Sequence, residues 1–111
     1  LTDSLIIPMD PDRIFAALAS APRRRILAFL GQTALTTSEL AARFPMSAPA
    51  VSRHLSLLEG AGLVARERQG QRVLYRLERD ALLEALGRLA AQVDGPLRRE
   101  PQPPRSPREA I

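Results

Sequence analysis

Apolar positions recur every three or four residues along most of this chain, then switch to every second residue between positions 64 and 77. Asp10-Pro11 reads as an N-cap followed by a proline in the first turn, and Ile14, Phe15 and Leu18 form a stripe that runs to about Ala19. Pro22 restarts a helix in which Ile26, Leu27, Phe29 and Leu30 are candidate core residues, and Gly31 stops it. Ala34-Leu35 has the character of a short strand. Thr37 is expected to cap a helix reading SELAARF, with Leu40, Ala41 and Phe44 inward and Pro45 as its end. A further helix is predicted over 47–62. Ser47 caps it, Val51, Leu55 and Leu58 share its apolar face, and Gly60 and Gly62 stand near its C-terminal end.

The alternating stretch divides into 64–68 and 72–77 around Gln69-Gly70-Gln71, the pattern of a β-hairpin. Val73, Tyr75 and Leu77 fall on one face, so the second strand is expected to pack on the helices. A last helix, about 79 to 93, carries Leu82, Leu83, Leu86, Leu89, Ala90 and Val93, a stripe wide for an edge helix of so small a domain. Five of the ten prolines lie beyond Asp94, with Arg98, Arg99, Arg105 and Arg108 between them. The division expected is therefore an N-terminal arm at 1–9, a folded domain at 10–93 and a flexible Pro/Arg-rich tail at 94–111. The start at LTDS, without a methionine, reads as a chain lacking a few residues at its front.

Two helices joined by a tight turn and followed by a hairpin give the order of a winged helix-turn-helix. The predicted fold class is mainly α, about five helices plus a β-hairpin wing, and dimeric. In that arrangement the 37–44 helix lies across a DNA backbone and the 47–62 helix enters the major groove by its N-terminal half. The polar face of the latter presents Pro49, Arg53 and Ser56, flanked by Ser52 and His54. Short hydroxyls and backbone N–H groups at a positive helix end suit phosphate oxygens. Arg53 can grip a guanine O6/N7 edge with two hydrogen bonds, and Pro49 can touch a thymine methyl. Any amphipathic surface helix also needs a polar face, so the hairpin decides the matter: Arg66, Arg68, Arg72 and Arg76 crowd it against the single acid Glu67. With a three-residue loop Arg68 stands opposite Arg72, a like-charge pair that a phosphate or a minor groove would relieve. With a two-residue loop the expectation is Glu67 facing Arg72 in an ordinary solvated ribbon.

Composition narrows the function. The chain has 111 residues, sixteen basic against twelve acidic for a net charge of +4, and no cysteine. All the basic residues are arginine, which a GC-rich genome accounts for, while the excess itself favours a polyanionic partner. Disulfides, thiol switches and thiolate metal sites are excluded. No apolar run reaches the ~20 residues of a membrane span, so no membrane role is expected and the localisation expected is cytoplasmic. No metal cluster, nucleophile–base pair or phosphate-binding glycine loop points to an enzyme, and no cofactor is expected.

Residues 10–93 resemble the ArsR/SmtB family of small dimeric winged-helix repressors through APRRRILAFL, TTSELAARFPMSAPAVSRHLSLLEGAGLV and ARERQGQRVLYRL, and look most similar to its metal-independent, SdpR-like branch. The resemblance implies a homodimer built from the first and last helices, with Ile14, Phe15, Leu18, Leu82, Leu86, Leu89 and Val93 at the interface. Base contacts are expected from Pro49, Ser52 and Arg53. Phosphate and wing contacts are expected from Thr37, Ser47, His54, Arg66, Arg68, Gln69, Gln71 and Arg72. Metal-sensing members carry a cysteine pair on the helix before the recognition helix, where this chain has Ala41 and Arg43, and others use Asp and His pairs on the last helix, which here holds Asp80, Glu84 and Asp94 but no histidine. Metal sensing is therefore not expected.

Some positions stay open. His54, the only histidine, either touches a phosphate or packs against Leu57 and Ala61. Arg23-Arg24-Arg25 either pairs with Asp10, Asp12 or Glu39 or meets backbone phosphate. Gly87, mid-helix, fits either close approach of a partner helix or tolerated drift. The partners expected are double-stranded DNA, a second copy of the chain and an unidentified small-molecule or protein effector. The alternative function is a winged-helix module that binds protein through the same face, with no specific DNA target.

Overall fold

A computed structural model describes residues 10–94. The element order is α1 (Pro11–Leu18), α2 (Ala21–Leu30), α3 (Thr37–Ala41), α4 (Ala48–Gly60), β1 (Val64–Gln69), β2 (Arg72–Leu77) and α5 (Arg79–Asp94). This is a winged helix-turn-helix, as the sequence predicts. The expected arm at 1–9 and the tail beyond Asp94 lie outside the described residues, and Asp94 itself closes α5 rather than opening the tail.

Helix starts follow the local chemistry. Asp10 accepts from the Asp12 N–H at 3.1 Å, and Ser20 accepts from the Arg23 N–H at 3.3 Å with Pro22 in the first turn. The cap of α3 is Thr36 and not Thr37. Glu39 decides between the two threonines: its Oε1 accepts the Thr36 N–H at 2.8 Å while Thr36 Oγ1 accepts the Glu39 N–H at 3.1 Å. That reciprocal pair needs the glutamate three residues after the cap. α3 is also shorter than its sequence pattern. It closes at Ala41, and Arg43 and Phe44 donate to carbonyls three residues back in a tightened turn well before Pro45.

The core is one cluster. Ile14, Ile26, Leu40, Val51, Leu55, Leu58 and Leu63 are fully enclosed, so every helix from α1 to α4 and the start of the hairpin contribute to it. Phe44 is buried too. Its ring meets Phe29 edge-on at 5.5 Å, with the Arg25 guanidinium 5.2 Å over Phe44 and the Arg43 guanidinium 5.7 Å over Phe29. This alternation of cations and rings fastens α2 to the turn after α3.

The hairpin is antiparallel, with Val64 opposite Leu77 and Gln69 opposite Arg72. Its loop is the two residues Gly70-Gln71, with Gly70 at φ +63, as this kind of tight turn requires. Neither sequence expectation about charge across the ribbon holds: Arg68 faces Val73 and Glu67 faces Leu74. Gln69 belongs to β1, which moves the loop one residue toward the C-terminus of the predicted turn. The Ala34-Leu35 strand amounts to a single bridge, in which Leu35 and Tyr75 exchange backbone hydrogen bonds of 3.1 and 2.8 Å. Tyr75 and Leu77 pack on the core, and Glu78 N–H closes the base of the ribbon on the Leu63 carbonyl at 2.8 Å.

α5 is different in character. Only Ala85 is buried, while Leu83, Leu86, Leu89 and Val93 are 42–67% exposed. Among the residues expected at a dimer interface, Ile14 is a correction. It is fully enclosed by its own chain because the α1 stripe points inward there, so it offers no surface to a partner. Phe15, Leu18 and Leu82 are half-buried.

Candidate nucleic-acid interface

The polar face of α4 is built outward from a well-anchored helix. Val51, Leu55 and Leu58 hold it to the core, and Ser47 Oγ accepts the Ala50 N–H at 3.3 Å. Since Ser47 accepts in that bond, its hydroxyl proton remains free to donate to a phosphate. Pro49 lies in the first turn. Ser47, Pro49, Ser52, Arg53 and Ser56 are all exposed, so the structure brings the expected base-reading residues together at the N-terminal half of one helix. Arg53 has no hydrogen-bond or ion-pair partner among the described residues.

His54 points elsewhere. Its Nδ1 stands 3.3 Å from Arg23 Nη1, and the same guanidinium donates to the Ala17 carbonyl at 2.8 Å and the Ala16 carbonyl at 3.4 Å. Arg23 therefore ties α4 to the C-terminal end of α1. Because the arginine can only donate, Nδ1 must accept, which requires the neutral imidazole with its proton on Nε2. Partial burial lowers the His54 pKa below the ordinary histidine value, and the neighbouring positive charges of Arg23 and Arg53 add to that.

The arginine triplet departs from the expected carboxylate pairs. Arg23 and Arg24 bond the last carbonyls of α1, with Arg24 Nη1 2.6 Å from the Leu18 oxygen, and Arg25 stacks on Phe44. Three cations at the N-terminus of α2 are tolerable because two of them rest on the negative end of the preceding helix.

The wing is clipped to the helix-turn-helix on both strands. Arg66 on β1 donates to Glu59 near the end of α4 at 3.0 Å, and Arg72 on β2 donates to Glu39 of α3 at 3.1 Å. Arg76 stands 3.8 Å from Glu67 across the ribbon. The Arg72–Glu39 pair links residues far apart in sequence, and only their unlike charges could have hinted at it, whereas Arg66 and Glu59 lie on consecutive elements. The Thr36 amide, donating to Glu39, holds that carboxyl below its usual range against the opposing effect of desolvation, and Arg72 and Arg43 lower it further. Hydrogen bonding and charge from Glu59 in turn keep Arg66 more firmly protonated than usual. Arg68 alone among the wing arginines lacks a carboxylate among the described residues. Its Nη1 donates only to the Gly70 carbonyl at 3.3 Å. Gln69, Gln71 and Arg72 are exposed around the tip, and Thr37 is half-buried in the first turn of α3.

A helix face of hydroxyls with one free guanidinium, beside a cationic ribbon, can neutralise phosphates while that guanidinium reaches base edges. Among the described residues, no group of three or more His, Cys, Asp or Glu side chains is placed to hold a metal ion, and no helix is long and apolar enough to cross a membrane.

Comparison with known proteins agrees with this architecture. A family model described as a helix-turn-helix domain matches residues 18–67. The chain is 31% identical over 75 residues to the transcriptional repressor SdpR of Bacillus subtilis, an alignment covering 68% of this chain and 83% of that one. It is 44% identical over 68 residues to the HTH-type transcriptional regulator Rv2034 of Mycobacterium tuberculosis, covering 61% of this chain and 64% of the regulator, just under two thirds of its length. Its fold matches a homodimeric winged helix-turn-helix DNA-binding domain of Mycobacterium bovis, described as a possible ArsR-family regulator, with a TM-score of 0.62 and 26% identity over 83% of this chain and 85% of that one.

Proposed function

This chain belongs to the ArsR/SmtB family of winged helix-turn-helix transcriptional regulators, and from that membership we propose that it is a repressor that binds an inverted-repeat operator as a homodimer and does so without sensing a metal. The observation that carries the reading is the asymmetry of the arginines. Three wing arginines have carboxylate partners that hold the ribbon in place, whereas Arg53 and Arg68 are left for nucleic acid. Arg53, Ser52 and Pro49 read bases. Ser47, the free N–H groups of the first turn of α4, Arg68, Gln69, Gln71, Arg72 and Arg66 sit on phosphates, with Thr37 on the backbone from α3. Arg66 and Arg72 exchange a carboxylate for a phosphate when they bind.

The exposed leucines and Val93 of α5, together with Phe15 and Leu18, form the dimer surface. The homodimeric state of the Mycobacterium bovis domain supports this. Metal independence rests on donor chemistry: the chain has no cysteine, and its single histidine is engaged by Arg23. Residues 10–93 make one DNA-binding and dimerisation domain, and the protein works in the cytoplasm on DNA that carries its operator.

Footprinting on the DNA upstream of its own coding region tests the proposal. Two protected half-sites related by a dyad, with centres about one helical turn (~34–36 Å) apart, are expected. A single unsymmetrical footprint argues against the dimeric operator, and no footprint at low salt argues for the protein-binding alternative.

A further inference from the structure

A groove of about 420 Å³ opens where the end of α1, the middle of α2, the end of β2 and the start of α5 converge. Leu18, Leu27, Leu77, Leu82 and Leu86 give it apolar walls, and among the described residues Arg24 and Arg79 supply the only charged side chains along it. Arg66, Arg72, Arg76 and Arg88 all have carboxylate partners on the surface. Among the described residues Arg24 and Arg79 have none, and no acidic residue lines the groove. Each is nevertheless held in position by one backbone carbonyl, Arg24 Nη1 by Leu18 at 2.6 Å and Arg79 Nη2 by Gly31 at 2.9 Å. One hydrogen bond uses one of five donors on a guanidinium, so both retain the planar fork that fits a carboxylate.

We propose that this groove binds a small amphipathic monocarboxylate, an acyl or aryl chain lying on the leucines with its carboxylate on Arg24 and Arg79. Charge complementarity selects that occupant. A neutral apolar molecule would leave two ordered guanidiniums unused, and an organic cation would meet two like charges. A volume near 420 Å³ falls in the range of small-molecule sites and is mostly apolar, as such sites are. The inference does not depend on the DNA-binding residues, since none of them lines the groove, but Leu18 and Leu86 also belong to the proposed dimer surface, so it requires that the groove stay open in the homodimer.

Calorimetric titration of the full chain with sodium decanoate, below the concentration at which it forms micelles, tests this without DNA, with decanol and decyltrimethylammonium as headgroup controls. The expected result is saturable binding of one decanoate per protomer, at least tenfold tighter than decanol, with no binding of the cation. The double variant Arg24→Gln/Arg79→Gln should lose at least tenfold for decanoate and leave decanol unchanged. Ala28→Glu, at an exposed position lining the same groove, places an internal carboxylate there and should abolish decanoate binding without disturbing a core residue. Absence of saturable binding, equal affinity for decanoate and decanol, or indifference to these substitutions would each overturn the proposal. So would binding that appears only when Leu83→Glu makes the protein monomeric, since a second copy would then be the true occupant.

Discussion

Replacing Arg68 by glutamine isolates the contribution of the wing to DNA binding. Arg68 is exposed on β1, faces Val73 across the ribbon and spends one long hydrogen bond on Gly70. It has no carboxylate to abandon when it meets a phosphate, in contrast to Arg66 with Glu59 and Arg72 with Glu39. Each phosphate neutralised contributes a slope of about −0.9 to the dependence of log K on log salt. A homodimer loses two such contacts in the variant, so the slope should flatten by about 1.8. Between 50 and 200 mM salt, a fourfold change, that flattening removes about a twelvefold share of the fall in affinity (4 raised to 1.8). Fluorescence anisotropy with a labelled operator duplex at four or five salt concentrations measures it. Urea midpoints should match the parent protein, because no core contact is touched. An unchanged slope would refute the reasoning, for it would mean that the wing tip does not lie on the DNA backbone.

Other consequences can be checked individually. Arg53→Ala should relax sequence preference, costing about 1–3 kcal/mol of discrimination at one base pair per half-site with little change in salt slope; competition with single-base-pair variants of the operator reads this out. Leu55→Ala removes a fully enclosed side chain of α4 and should destabilise the fold by about 2–5 kcal/mol in urea denaturation. Because the folded state holds the His54 pKa below its ordinary value of 6.5, the unfolded chain takes up the proton first, so the stability that His54 contributes is complete above that value and declines as pH falls through it. Urea midpoints compared at pH 7.5 and 5.5 should show this loss in the parent and not in His54→Gln, whose amide oxygen still accepts from Arg23. Leu83→Glu and Val93→Glu, both on the exposed face of α5, should give a folded monomer in sedimentation equilibrium.

Much of the architecture was legible because it follows from local rules. Asp10-Pro11, Ser47 and the change of period at residue 64 fix helix starts and the hairpin through contacts made within a few residues. Errors of one position arose where two adjacent residues compete for one role. Thr36 and Thr37 are chemically equivalent, and only the distance to Glu39 separates them. Gln69 and Gln71 flank Gly70 symmetrically, and the register chose the former for the strand. What stayed illegible depends on partners far along the chain. Nothing near Arg72 announces Glu39, nor does anything near His54 announce Arg23, because long arginine side chains choose partners only after the helices have packed. Ile14 shows the same limit: periodicity marks a residue as apolar and inward but does not say whether its own chain or a second copy encloses it.

On the proposed function, the α4 face and the wing read a particular DNA sequence. Equilibrium binding of the purified protein to a duplex of its own upstream region and to a scrambled duplex of equal composition, across a salt series, tests it most directly. Preference for the native duplex by a factor of ~10³ or more at physiological salt is expected. Equal affinities for the two duplexes, or no binding to either at low salt, would contradict it.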